Sequence, residues 1–338
     1  MLRRTFFGLF ATFSLFASSL AALAQTGELP LGGSPTLPPA PSEAIAAAVG
    51  EYGDPRTPYT VYEQGGDLRI LRADLPTLDG HAIRNLAEAV VMDRGQVVGL
   101  RTADGVLPRL DVGADTVAHI QAGIHGKPAR VRQAALAATP PVEPPSRARS
   151  DLVALTSVDP TIKLDIRYAT ANNFMGFPLY ERANAYLQRP AAEAVARANA
   201  ALKAYGFGLL IHDGYRPWYV TRMFWDATPD YAHVFVADPA KGSRHNRGCA
   251  VDLTLYDLKT GQAVEMTGRY DEMSPRSYAD YKGGTSRQRA LRDLLRREME
   301  AQGFSVYPEE WWHFDFGRWA DYAIGTATFS ELATRQDK

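Results

Sequence analysis

The stretch Ser243 to Leu255, S-R-H-N-R-G-C-A-V-D-L-T-L, decides how the rest of this 338-residue chain is read. From Cys249 it alternates, with Cys249, Val251, Leu253 and Leu255 apolar and Asp252, Thr254 and Tyr256 polar, the pattern of a half-buried strand. His245 then lies in the loop entering the strand, and Asp252 on its polar face. A bend at Gly248 would bring imidazole and carboxylate together, and both are ordinary zinc ligands. A histidine near an aspartate is more often a plain hydrogen-bonded pair, so a metal reading needs a third ligand and an open position for water. The run Glu310 to Phe316, E-W-W-H-F-D-F, offers the missing half: strand-like aromatic sequence behind Pro308 and Glu309, with His313 on the strand and Glu310 at its mouth.

The length suits two domains, on the soft prior of about 150 residues each. Hydrophobic residues at 46% and charged residues at 22% are the balance of an ordinary soluble globular protein. A net charge of -1 without a basic stripe argues against a nucleic-acid partner. At the N-terminus Arg3 and Arg4 precede an apolar run and then Ala22-Leu23-Ala24, which predicts a secretory signal peptide over residues 1–24. The expected product is secreted, most simply periplasmic, with no stable membrane insertion after cleavage. A retained anchor is the alternative, but the apolar core is shorter than the roughly 20 residues a span needs. Cys249 is the single cysteine, so no intrachain disulfide can form, and its apolar parity suggests a buried small side chain rather than a nucleophile.

In chain order, Gln25 to about residue 43 is Pro-rich and reads as a flexible lead. Residues 44–136 read as a small β-rich accessory domain. Tyr59–Glu63 and Leu68–Leu71 flank Gly65-Gly66, Ala89–Met92 and Gln96–Leu100 flank Asp93 to Gly95, and both pairs predict hairpins. Through G-G-D-L-R-I-L and G-Q-V-V-G-L this segment resembles the accessory domains of secreted β-lactamase-like serine hydrolases, a likeness of shape and not of activity. Its His81, His119 and His125 have no carboxylate at ligand spacing. Residues 137–150, with four prolines, read as a linker. Beyond Asp151 a strand is expected over Ile162–Tyr168, a helix from Pro190 to about Tyr205, and a strand over Gly208–His212. D-G-Y-R-P then turns into a second helix, and a basic helix carrying Leu291, Leu294, Leu295 and Met299 ends at Gly303.

Four motifs in this half occur together: R-Y-A-T-A-N-N-F-M-G at Arg167 to Gly176, D-G-Y-R-P at Asp213 to Pro217, S-R-H-N-R-G-C-A-V-D-L-T-L-Y at Ser243 to Tyr256, and E-W-W-H at Glu310 to His313. With them the part from Asp165 to Phe316 resembles the D-alanyl-D-alanine dipeptidases, zinc peptidases of the vancomycin-resistance type. The resemblance implies an α+β zinc D,D-peptidase fold, a small antiparallel sheet flanked by helices, over residues 151–338. It implies that His245, Asp252 and His313 hold one Zn2+ per chain, that Glu310 is the catalytic acid/base, and that Arg216 stabilises the transition state. Tyr168, Asp271 and Ser243 would bind the ammonium end of a small D,D-dipeptide, in cell-wall turnover. Cys249 stands where the family has a small Ser or Ala.

The residues carry the same chemistry without the family. Zinc lowers the pKa of bound water to about 7 and polarises a carbonyl, a carboxylate takes the water's proton, and the oxyanion needs a fixed cation. Glu310 and Arg216 fit those roles, although Arg216 could instead be only a turn salt bridge to Asp213. Trp311 and Trp312 read as packing, Asp315 as a carboxylate orienting His313, His212 and His233 as packing or surface, and Arg244 and Asp257 as solvated charges. Two competing readings remain: a zinc D,D-carboxypeptidase or endopeptidase acting on peptidoglycan stem peptides, and a catalytically silent wall-binding module.

Overall fold

The strand expected after Gly248 forms, and it is the middle strand of a five-stranded sheet. The computed structural model describes residues 36–336 apart from 73, 76–79, 84 and 104, so the expected signal peptide and most of the expected lead lie outside the described residues. The sheet contains β1 (Lys163–Leu164), β2 (Phe207–Asp213), β3 (Ala250–Asp257), β4 (Phe304–Tyr307) and β5 (Glu310–Phe316), in the order β4-β5-β3-β2-β1. Neighbours are antiparallel except β1, which runs parallel to β2. The alternation in β3 predicted one wet face. Instead Ala250 to Tyr256 are all buried, because the polar face carrying Asp252 is covered by the walls of a cavity.

Three helices flank this sheet. The first, α1 (Arg189–Leu202), starts with Pro in its first turn and buries Ala191, Ala192, Ala194, Val195 and Ala198, small side chains that permit close approach to β2. It runs into a 3-10 turn that stops at Gly206, where φ is +85°. Next, α2 (Trp218–Ala227) follows the D-G-Y-R-P turn, and α3 (Ser286–Glu300) opens with a Thr285/Gln288 capping box and buries Leu291, Leu294, Leu295 and Met299. One expectation fails here. The strand predicted over Ile162–Tyr168 pairs only at β1, after which the chain winds into a 3-10 turn at Arg167–Ala169. The turn puts the Tyr168 ring among Phe174, Tyr180 and Phe224, and that buried cluster outweighs the local strand preference.

In the N-terminal half both expected hairpins form, as Tyr59–Gln64 with Asp67–Leu71 and Val90–Asp93 with Gln96–Thr102. The segment is not only β, however: helices Ala114–Ile124 and Pro128–Ala137 pack on α2, and Ile120, Ile124 and Ala135 join the main hydrophobic core. Of the Pro-rich stretch expected at 137–150, Ala137 ends the second helix and 138–150 is without regular structure but anchored, since Glu143 pairs with buried Arg247 and accepts the Ile324 N–H at 2.8 Å. Among the described residues no helix is long and apolar enough to cross a membrane.

Candidate active site

Strand register builds the site. Asp252 on β3 lies directly opposite His313 on β5 and is paired on its other side with Asp213 on β2, so three neighbouring strands present three titratable groups in one row. His245 enters from a 3-10 turn at His245–Arg247 that Gly248 closes at φ +66°, the expected bend. A Cβ at Gly248 would lie 2.4 Å from Leu152 Cδ2, so space as well as φ calls for glycine there. Asn246 fixes the turn: its amide donates to the Arg216 carbonyl and to Thr221 Oγ1, both at 2.8 Å, and its Oδ1 accepts the Ser243 N–H at 2.8 Å.

Three donor atoms converge. His245 Nε2 is 3.1 Å from His313 Nδ1 and 3.2 Å from Asp252 Oδ1, and His313 Nδ1 is 3.1 Å from Asp252 Oδ1. Ligand bonds of 2.0–2.1 Å at tetrahedral angles put neighbouring donors about 3.3 Å apart, so this triangle fits three corners of one small ion. The remaining ring nitrogens are already committed. His245 Nδ1 lies 2.7 Å from the Gly214 carbonyl and His313 Nε2 lies 2.9 Å from Asp315 Oδ1, so in the neutral rings a metal needs, each N–H is held outward and the other nitrogen is turned to the centre. Among the described residues His245, Asp252 and His313 form a group that could hold a metal ion. The expected role of Asp315 as an orienting carboxylate agrees with this geometry.

The electrostatics ask for a cation at that point. Burial would raise Asp252, yet His245 and His313 hold its carboxyl well below the usual range. His313 is favoured in its charged form, Asp315 and Asp252 overcoming the burial that would lower it. Burial pushes Glu310 up to about 8, with His313 pulling the other way and Asp252 adding to the rise. Glu310 Oε2 stands 3.6 Å from His313 Nδ1, beside the triangle rather than in it. A carboxyl held there is poised to gain and lose a proton, and a nearby dication would favour its ionised form.

Arg216 pairs with Asp213 as the alternative reading had it, through Nη2 at 2.8 Å and Nε at 3.0 Å, but it also lines the cavity with Glu310, His245 and Asp252. Asp213 is fully buried and satisfied by the Tyr180 hydroxyl at 2.7 Å and the Gly214 N–H at 2.9 Å. The pair is therefore a mount that holds a guanidinium in the cavity wall. Next to it, with its ring 5.4 Å from the guanidinium, Tyr168 donates its hydroxyl to Asp271 Oδ1 at 3.0 Å, while Asp271 Oδ2 is buried without a hydrogen-bond partner. Asp271 also holds φ +59°, a conformation that costs a non-glycine residue about 1–2 kcal/mol. Ser243 lines the same cavity, its hydroxyl accepting the His245 N–H at 3.1 Å. The cavity measures about 390 Å³, at the small end of ligand sites.

Some roles were missed or misassigned. Tyr270 stacks on His212 and donates to Asp252 Oδ2 at 3.0 Å, holding the carboxylate from behind; its place beside Asp271 in R-Y-D was the available signal. Arg244 is exposed, as expected of a solvated charge, and it also lies 3.4 Å from Asp315 and over the Trp319 ring. Cys249 is buried and burial pushes its thiol up to about 12, consistent with an inert packing residue.

With that geometry in place, the sequence model of the family described as D-ala-D-ala dipeptidase matches residues 148–331, and a D-alanyl-D-alanine dipeptidase of Escherichia coli (strain K12) is 35% identical over 181 residues, 54% of this chain and 92% of that relative. The chain belongs to the D-Ala-D-Ala dipeptidase family. Dipeptidases of that name from Enterococcus faecalis and Streptomyces coelicolor are each 36% identical over 171 residues, covering 45% of this chain and 85% of theirs. A solved LD-carboxypeptidase structure overlaps loosely, at TM-score 0.29 and 16% identity over 56% of this chain and 74% of that one. As a member of the family the protein is a peptidase, and every residue that lines the cavity lies within the matched residues 148–331.

Proposed function

We propose that the protein hydrolyses D-alanyl-D-alanine or similar D,D-dipeptides with one Zn2+ held by His245 Nε2, Asp252 Oδ1 and His313 Nδ1. Zinc bound there would supply Lewis-acid polarisation of the scissile carbonyl and a water acidified to a pKa near 7. Glu310 Oε2 takes the proton of the attacking water and returns it to the leaving amine nitrogen. Arg216, held by Asp213 at two of its nitrogens, turns its remaining N–H donors to the oxyanion. Tyr168 and Asp271 hold the substrate's ammonium, with Ser243 in the wall.

One observation carries the dipeptide reading: the orphaned, buried Asp271 Oδ2 in the wall of the cavity that holds the metal-capable triad. A buried carboxylate oxygen without a partner is costly, and a substrate ammonium supplies the missing charge-assisted bond. Acetylating the amine removes that cation and adds bulk. Cleavage of N-acetyl-D-Ala-D-Ala should therefore fall at least about a hundredfold below that of the free dipeptide in kcat/KM. Comparable rates would sink the dipeptide reading and favour a carboxypeptidase or endopeptidase acting on stem peptides. Export rests on residues 1–24: intact mass of the secreted chain should begin at Gln25, and a retained Met1 would count against it.

A further inference from the structure

The family-matched region begins at residue 148, yet residues far upstream grip the loop that carries Asp271. Within that loop buried Glu272 is the hub. Its Oε2 accepts the Arg269 N–H at 2.8 Å, its Oε1 accepts the Ser274 hydroxyl at 2.7 Å, and Arg276 Nε approaches Oε1 at 3.6 Å. Each arginine also faces an acidic side chain of the N-terminal half. Arg269 Nη2 pairs with Asp111 Oδ1 at 3.0 Å, and Arg276 Nε faces Glu51 Oε2 at 3.9 Å. Glu51 is itself buried, on the strand Gly50–Tyr52, where the Tyr281 hydroxyl donates to its other oxygen. Gly113 closes the contact from above: a Cβ there would meet Glu272 Cγ and both Met273 N and O at 3.4 Å.

Asp271 sits inside this grip in a left-handed conformation, which aspartate reaches more readily than most residues but still at a cost that its surroundings must offset. Arg269 and Arg276 flank it in sequence; Arg269 is hydrogen-bonded to Asp111, and Arg276 faces the charge of Glu51 at 3.9 Å. We infer that Glu51 and Asp111 are positioning residues for the peptidase, which set the enzyme's affinity for the substrate's amino end by holding the 269–277 loop. This rests on the reading of Asp271 as the ammonium site. Simple docking of two halves would also create such pairs, but docking alone predicts an effect on stability and none on the apparent affinity of folded enzyme.

The test uses the full-length zinc-loaded protein and D-Ala-D-Ala, with melting temperature, KM and kcat measured for each variant. Glu51→Gln keeps the volume and an acceptor for Tyr281 but removes the charge facing Arg276. It should raise KM about tenfold with kcat within about twofold, the signature of lost uniform binding. Asp111→Ala, at an exposed pair that can be cut without harming the core, should raise KM about two- to threefold in the same way. An unchanged KM in both variants, or a fall in kcat with KM unmoved, overturns the inference. If Glu51→Gln does not fold, the Asp111→Ala result decides alone. Asp271→Asn separates the layers. Should it leave KM unchanged, the ammonium reading fails and the inference with it. Should it raise KM while the two upstream variants do not, only the inference falls.

Discussion

Glu310→Gln is expected to lower kcat for D-Ala-D-Ala by about a hundred- to ten-thousandfold while zinc stays bound, the range that loss of a positioned general base produces. The substitution keeps the side chain's shape and removes only its capacity to carry the water's proton. Retention of metal follows from geometry, because Glu310 stands beside the donor triangle and three other atoms already fill it. Stability should not suffer. Burial and Asp252 both disfavour the ionised carboxylate, so a neutral amide relieves that cost. Assay of hydrolysis together with zinc content checks this, and loss of zinc along with activity would make Glu310 a ligand instead.

His313→Ala should remove both metal and activity, leaving hydrolysis at background. Alanine deletes one corner of the triangle and takes a partner from buried Asp252 and from Asp315. Asp315→Asn provides the graded comparison: with the orienting bond to His313 Nε2 weakened and the exposed Arg244 pair lost, zinc affinity should fall about 10- to 100-fold and activity should return at high zinc. Equal zinc binding by wild type and His313→Ala would place the metal elsewhere.

Much of the site was legible because its chemistry sits in short local patterns. His245 and Asp252 bracket one glycine bend, and Glu310 and His313 share one strand, so spacing alone located both halves. What spacing could not supply was register. That Asp252 faces His313 on one side and Asp213 on the other follows from how β3 sits between β5 and β2, a fact with no signature in any single segment. The same limit hid the full burial of β3, whose alternation reports a polar face without saying that a cavity covers it. Tyr168 misled because its ring packs on Phe174 and Tyr180 of the following loop and on Phe224 of α2, and that packing overrode a locally strand-like run. The grip of Asp111 on Arg269 and of Glu51 on Tyr281 spans 158 and 230 positions, and nothing in either stretch marks it. Helix Ala114–Ile124 escaped for a plainer reason: its apolar face is short, and it becomes core only against α2.

The central claim, a single-zinc hydrolytic centre built from His245, Asp252 and His313, is tested most directly by titrating zinc into metal-stripped wild-type protein while following D-Ala-D-Ala hydrolysis. Activity should be absent at the start, rise in proportion to added zinc and stop rising at about one equivalent, as a closed set of three protein ligands around one ion requires. Full hydrolysis by the stripped protein, or a rise that continues to about two equivalents, would contradict it.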